Sequence, residues 1–493
     1  MTKSKTGSLL GLELEMVPVC LGSGHSHPVR GYFEALAAIK RTRNETVTVR
    51  CLGGRPCGVS GEHGESGLDN GYNLLETAFA PIEGGAGGLD RLAGRVAGEL
   101  ADVVQALGQE DACLLNVSEH PACTLDTRWY TEVRLPRPIY RELVEHRGWL
   151  HRAGIDAKAQ NGPCTAVDVQ EAVQALNAIL ALAPASAALF ANSPLQAGRI
   201  TDWKENRLTL WDRMFRHARY AGDHYLQRLP ERPFLDLGDH FRWMFGVGTV
   251  SRALPLAASQ DYKSAVTAYL TGDPSLQQFL AAPSWRGRRT DTDEWVELRP
   301  HSSYFEYSQF AHFLDARWRY RLASPPPLQE LLQAWNQPRG LEALFARCGV
   351  DGYIEGRAPG AVFADAQLRD EAGHAIASCA PLAPSALQLG LMRNLAQAES
   401  LWRDWGWLRL RALRATAIRN ALDDDAVWAL ARDVLAVARA GLRAGERHYL
   451  DYADYVLQTR RTGADRLLTL WHEATGSLDE KLAQIAPRRA VLA

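Results

Sequence analysis

The segment "LLGLELEMVPVC" (9–20) alternates apolar and polar positions at its start and predicts a β-strand. A helix is predicted over "VRGYFEALAAIKR" (29–41), where Phe33, Leu36, Ala37 and Ile39 form one apolar face. "ETVTVRCLG" (45–53) is β-branched and alternating, so it predicts a second strand. "GRPCGVSGEHGESGLDNG" (54–71) is read as a glycine-rich loop leading into a third strand within "YNLLETAFAP" (72–81). A helix follows over about 89–107, and "ACLLNVS" and "WYTEVRLP" are read as further strands.

In "TAVDVQEAVQALNAILALAP" (165–184), Asp168 and Glu171 have capping-box spacing ahead of helical periodicity, and Pro184 is expected to end or kink that helix. "FANSPLQAGR" (190–199) is rich in turn formers, and "DWKENRLTLWDRMF" (202–215) predicts a helix with Arg207 and Trp211 on one face. "FLDARWRYRL" (313–322) predicts a strand stopped by "ASPPP", whereas 240–254 fits neither period. Helix and loop alternate over 328–383, and from 384 onward the pattern is almost wholly helical. The expectation is a strand-rich catalytic domain over 9–383 with a helical C-terminal region, 384–493, packed on it.

Composition changes this picture only by exclusion. Hydrophobic residues make up 46% and charged residues 23% of 493 positions, as in ordinary globular proteins. A net charge of −2 supplies no electrostatic attraction for nucleic acid or anionic membrane. The longest apolar stretch, "AILALAPASAALFA", is too short to span a bilayer, and "MTKSKTGSLLGLELEM" lacks a signal-peptide core. A cytoplasmic location, small-molecule partners and a monomer or homodimer are expected. The eight cysteines are scattered without paired metal-ligand spacing, which favours reduced thiols.

The candidate chemistry starts with Glu13 and Glu15. Side chains two apart on a strand share a face, about 7 Å apart, so these carboxylates point the same way. Like charges there repel, and burial without cations is costly. Glu76 and Asp315 are further acids on strand-like segments, and Asp315 lies two before Arg317. Solvent exposure on an antiparallel strand would explain any one of these acids. Together they suit metal and phosphate. Arg199, Lys204 and Arg207 in "AGRITDWKENR" could neutralise a transferring phosphoryl group, or form a solvated helix edge. "GHSHP" lacks a third ligand at recognisable spacing, and Cys164 lacks an assignable histidine partner. No phosphate-loop, dinucleotide or kinase motif is present.

Several blocks resemble the glutamate–cysteine ligase family of the plant and proteobacterial type, with its actinobacterial relatives and related ATP-dependent carboxylate–amine ligases. "LGLELEMVPV" is similar to the family's opening strand, and "GLDNGYNLLETAFAP" to a segment ending in a strand glutamate, here Glu76. "FANSPLQAGRITDWKENRLTLW" resembles the family's "ANSP" block, with Asn192, Arg199, Arg207 and Trp211 in matching places. "DEWVELRPHSSYFEYSQFAHFLDARW" resembles a later block through His301, Phe305, Asp315 and Arg317. Differences fall at "CTAVDV" (164–169) and "FEYSQF" (305–310), where substrate contacts are expected.

The resemblance implies an α+β, glutamine-synthetase-like fold: a curved, mainly antiparallel sheet forming an active-site funnel, flanked by helices. It implies Mg²⁺ ions held by Glu13, Glu15, Glu76 and Asp315, and catalytic roles for Arg199, Arg207 and Arg317. Lys204, Asn192 and His301 would contact ATP. The implied reaction phosphorylates the side-chain carboxylate of glutamate and joins it to the amine of cysteine, releasing ADP and phosphate, as in glutathione biosynthesis. Alternatives are a related ligase using another acid or amine, and, in another class, a phosphotransferase or an inactive binding protein.

Overall fold

A computed structural model describes residues 5–123, 126–257, 265–310 and 312–493. The apolar alternation of the first segment does produce the central strand, β1 (Leu9–Cys20). β2 (Thr48–Leu52), β3 (Arg55–Gly61), β4 (Gly64–Leu68) and β5 (Leu75–Phe79) follow as an antiparallel meander ending beside β1. β6 (Ile82–Glu83) and β7 (Ala112–Leu115) pair the two ends of β1, and β8 (Asn161–Ala166) lies along its other edge. A hairpin of β9 (Leu195–Gln196) and β10 (Arg199–Ile200) stands apart. A separate four-stranded sheet runs β11 (Leu254–Pro255), β12 (Thr267–Leu270), β13 (Trp285–Arg289), β14 (Trp295–Leu298). β15 (Ala316–Leu322) and β16 (Val350–Gly356) complete the ten-stranded main sheet, ordered β15-β16-β8-β1-β5-β4-β3-β2.

The α+β class and antiparallel pairing therefore hold, but the expected funnel does not form. The main sheet is an open ribbon with β15 at one end and β2 at the other, and no sheet is closed or strongly curled. β2 carries Thr48, Arg50 and Cys51 exposed along its length, a polar edge that ends the ribbon and offers nothing to close against.

Other differences are local. The glycine-rich stretch is not a loop but β3 and β4. At Gly64 (φ +142°) a side chain would meet the Ala78 carbonyl oxygen at 2.2 Å, so this glycine lets the strands approach. "WYTEVRLP" lies largely in a helix, Thr127–Val133, capped by Asp126. Pro184 sits inside the helix Ala172–Leu189 rather than ending it, and Glu171 makes no side-chain cap bond. That helix is apolar all round, so neighbours bury it and tertiary packing outweighs the bond lost at proline. The ambiguous segment 240–254 begins inside the helix Leu237–Phe245.

Leu10, Leu12, Leu14 and Met16 are buried on one face of β1. The helix Gly88–Gly108 packs on β1, Ala383–Arg393 on β8, and Ala172–Leu189 on β15 and β16. Around Ala172–Leu189 the helices Leu395–Trp405, Trp407–Asn420 and Asp425–Gly441 form an outer layer. Ala172–Leu189 and His374–Arg393 are long and apolar enough to cross a bilayer, but their most apolar windows are 89% and 83% buried inside this fold.

Candidate active site

The polar face of β1 borders a cavity of about 290 Å³. Glu13 and Glu15 line it, opposite in side-chain direction to buried Leu12, Leu14 and Met16. Register places Glu76 of β5 directly across from Glu15. Asp69, in the turn after β4, also lines the cavity, so four carboxylates gather on one wall. Like charges opposite each other in a sheet are destabilising. Accordingly, burial, then the charges of Asp69 and Glu76, push the Glu15 carboxyl well above the usual range, with Arg357 and Arg207 opposing. The Gln160 side-chain amide donates to Glu15 Oε1 at 3.2 Å.

A second carboxylate site is balanced in the opposite sense. Glu355 on β16 is 1% exposed, yet receives Arg317 and Arg357 at 2.8 Å and Arg319 at 3.2 Å. Burial alone would raise its carboxyl, but Arg317, Arg357 and Arg319 overcome this and hold it far below the usual range. Three guanidinium groups are thereby fixed along the cavity beside the acidic wall.

The expected site residues divide between wall and scaffold. Glu13, Glu15, Glu76, Arg207, Arg317 and Asp315 all line the cavity. Asp315, however, precedes β15 and is clamped by both arms of Arg414, one of them at 2.7 Å, so its carboxylate is committed. Arg207 gives Nε to Glu205 at 2.8 Å and its terminal nitrogens to Gln160 and to the carbonyls of Arg357, Ala358 and Pro359. It braces the chain beyond β16.

Four residues do not reach the cavity walls. Arg199 is exposed on the β9–β10 hairpin, where the turn at Ala197 (φ 47°) and Gly198 (φ 75°) projects it outward. Lys204 bonds Asp423 at 2.7 Å and Asp465 at 2.6 Å, pinning C-terminal segments. Asn192 donates to the Ala361 carbonyl at 2.7 Å and accepts from Arg489 at 2.6 Å. His301 is exposed and contacts Ser303 at 2.9 Å. The "ANSP" block is thus largely an internal brace.

Glu355, Arg357, Gln160 and Lys158 lay outside the sequence reading. The alternation Tyr353, Glu355, Arg357 in "YIEGR" is a strand signal, but it sat in a region read as helix and loop. Lys158 is buried with Glu119 at 3.3 Å and Asp156, and burial pulls its ammonium down to about 7 against Glu119. His27 and His25 face separate partners, Glu110 at 2.6 Å and Asp479 at 3.1 Å. None of the eight cysteines is in a disulfide, and burial pushes the Cys164 thiol well up.

Residues 9–224, which include β1, the acidic wall and Arg207, match the sequence profile of glutamate-cysteine ligase family 2. That span is less than half of the chain, and over it the chain is similar to this family. The match supports an ATP-dependent carboxylate–amine ligase reaction of the glutamate–cysteine ligase type, in a family whose membership implies use of ATP and Mg²⁺. Among solved structures, the chain is similar to glutamate–cysteine ligase from Francisella tularensis in complex with AMP, at 12% identity and TM-score 0.46, covering 98% of this chain and 88% of that one. It is also similar to a bifunctional glutathione synthetase from Pasteurella multocida, at 12% identity and TM-score 0.43, covering 97% of this chain and 52% of that one. No curated protein matches it.

The acidic wall suits the implied cation. Carboxylate oxygens are the hard donors Mg²⁺ prefers, and the raised Glu15 carboxyl marks a negative cluster that a divalent cation would relieve. Among the described residues, no three His, Cys, Asp or Glu side chains already converge as a finished metal site.

Proposed function

We propose that this protein is an ATP-dependent carboxylate–amine ligase that activates the side-chain carboxylate of glutamate within the cavity bordered by β1, β5 and β16. The observation that carries the reading is that two charge assemblies of opposite sign line one cavity. Glu13, Glu15, Asp69 and Glu76 crowd one wall, and Arg317, Arg319 and Arg357 stand beside it on Glu355. Glu13, Glu15 and Glu76, with Asp69, would hold Mg²⁺, which when bound neutralises phosphate charge. Arg317 and Arg357 bind and orient the carboxylate that accepts the γ-phosphoryl group, and stabilise charge on its equatorial oxygens. A carboxylate is a poor electrophile, and phosphorylation supplies the leaving group. Gln160 and Arg207 position Glu15 and the chain beyond β16. The division into a catalytic domain (9–383) and a helical region (384–493) belongs to this reading, as does a cytoplasmic location, which the eight free thiols support.

The test is incubation of the purified chain with ATP, Mg²⁺ and glutamate, with and without amines, following ADP, phosphate and product. Amine-dependent release of ADP and phosphate with a new amide is expected. A phosphorylated small molecule without free phosphate would instead mark a phosphotransferase. Absence of both turnover and ATP binding would mark a binding protein.

A further inference from the structure

The "GHSHP" histidines lie outside the cavity, and one of them joins a cluster apart from the acidic wall. β1 ends at Cys20, and the chain turns back at once. The Gly24 N–H donates to the Cys20 carbonyl at 2.8 Å, with Gly24 in the left-handed region (φ 69°). The returning segment runs beside β1: Ser26 bridges Val19, and the His27 N–H donates to the Pro18 carbonyl at 2.9 Å. This sets the His27 ring against Cys20, with Nδ1 3.6 Å from Sγ. On the ring's other side, Nε2 lies 2.6 Å from Glu110 Oε2. Both Glu110 oxygens also accept from the Arg30 N–H at 3.1 Å, which fixes the carboxylate.

These three groups stand in the order nucleophile, base, orienting carboxylate. An ionised carboxylate only accepts, so Nε2 carries its proton toward Glu110 and Nδ1 presents its lone pair to the thiol. Once the thiol proton moves to Nδ1, the imidazolium is held between sulfur and carboxylate, both of opposite charge. The His27 and Glu110 side chains are each 13% exposed, so solvent screens the assembly little, while Cys20 is half-buried and keeps access to small reagents. Burial pushes the thiols of Cys57, Cys113, Cys123, Cys164, Cys348 and Cys379 up, which suppresses their thiolates. Cys51 is exposed on β2, with no imidazole hydrogen-bonded to it among the described residues, and serves as the reference thiol.

We propose that Cys20 is a nucleophilic thiol and a modification site for small electrophiles, hydroperoxides above all, with His27 as its base and Glu110 as a positioning residue. A hydroperoxide suits the cluster because its departing oxygen needs a proton, which His27 Nδ1 holds beside the sulfur. Sulfur attacks the outer peroxide oxygen; the S–O bond forms and the O–O bond breaks. The departing oxygen leaves with the bonding pair and takes the proton from Nδ1, giving water or an alcohol. Sulfur is oxidised by two electrons to a sulfenic acid, and the peroxide is reduced by the same two.

The experiment treats the whole reduced chain at neutral pH with limiting hydrogen peroxide, traps sulfenic acid with dimedone, and reads each cysteine by peptide mass spectrometry. Limiting iodoacetamide is run in parallel. In both, Cys20 is expected to react about tenfold faster than Cys51, although Cys51 is the more exposed. Equal rates, or Cys51 ahead, overturn the inference without any variant being made. Fast alkylation of Cys20 without the dimedone adduct overturns its assignment to hydroperoxides. In H27Q the Cys20 rate should fall about tenfold, and in E110Q about threefold, while that of Cys51 holds; E110D should recover most of the E110Q loss. A Cys20 rate unchanged or raised in H27Q, with wild-type melting behaviour, also overturns the inference. Amide formation enters none of these readouts, so the outcome is independent of the ligase reading.

Discussion

Two carboxylate assemblies share one cavity and are built on opposite principles. Around Glu355, three arginines oversupply positive charge, and the carboxyl stays ionised despite burial. Around Glu15, Glu76 and Asp69 oversupply negative charge, and the Glu15 carboxyl is pushed up instead. The first is complete within the protein and behaves as scaffold, orienting guanidinium groups. The second keeps an excess of negative charge around Glu15 despite Arg357 and Arg207, which suits a bound cation. Burial alone does not separate scaffold from site; the sign of the local charge imbalance does.

The contrast breaks first at Glu355. E355Q leaves Arg317, Arg319 and Arg357 without their counter-ion, and a loss of about 3–5 kcal/mol is expected, readable by chemical denaturation. Stability within 1 kcal/mol of wild type would mean the arginines find other partners. E15Q should act on the other observable: turnover falls by on the order of 10²–10³ while the melting temperature holds or rises, since a repelled carboxylate is gone. Near-wild-type turnover would remove Glu15 from the cation wall.

Mg²⁺ sharpens the comparison without chemistry. At about 100 times its dissociation constant it should stabilise the wild type by about 2.7 kcal/mol, and E15Q much less, in thermal melts without nucleotide. Equal shifts would place the cation elsewhere.

Acid tests the balance from another side. Burial holds His240 down at about 3, and His120 and His151 at about 4, below their unfolded value. The unfolded chain therefore binds more protons as pH falls below about 6.5, and stability should decline by about 1.4 kcal/mol per pH unit for each histidine. H240F should flatten that slope between pH 6 and 4, and an unaltered slope would assign the loss to other groups. The smallest effect is expected at Arg199. Exposed on its hairpin, R199A should change stability by less than about 0.5 kcal/mol and leave turnover within twofold.

Much of the local structure was legible because it follows short periods. β1, the helix Tyr32–Thr42 and the helical C-terminal region all appear in apolar spacing, and the period of two on β1 already puts Glu13 and Glu15 on one face. The glycine-rich stretch was misread because turn residues also serve strands whose backbones approach closely, as at Gly64. The basic run containing Arg199, Lys204 and Arg207 suits either a phosphate site or a solvated edge by its sequence, and the fold sends the three to solvent, to C-terminal carboxylates and to internal carbonyls beside the cavity. Charge type predicts what a side chain can bind, and location decides what it does bind.

By itself, the chain's pattern determined which face each strand residue takes and that the face of Glu13 and Glu15 needed compensation, because both depend only on neighbours two positions away. Tertiary structure alone decided that Arg317 meets Glu355, 38 positions distant, that Asp315 is consumed by Arg414, 99 positions away, and that the sheet stays open. Such pairings follow from packing in space, for which no spacing along the chain is a signal.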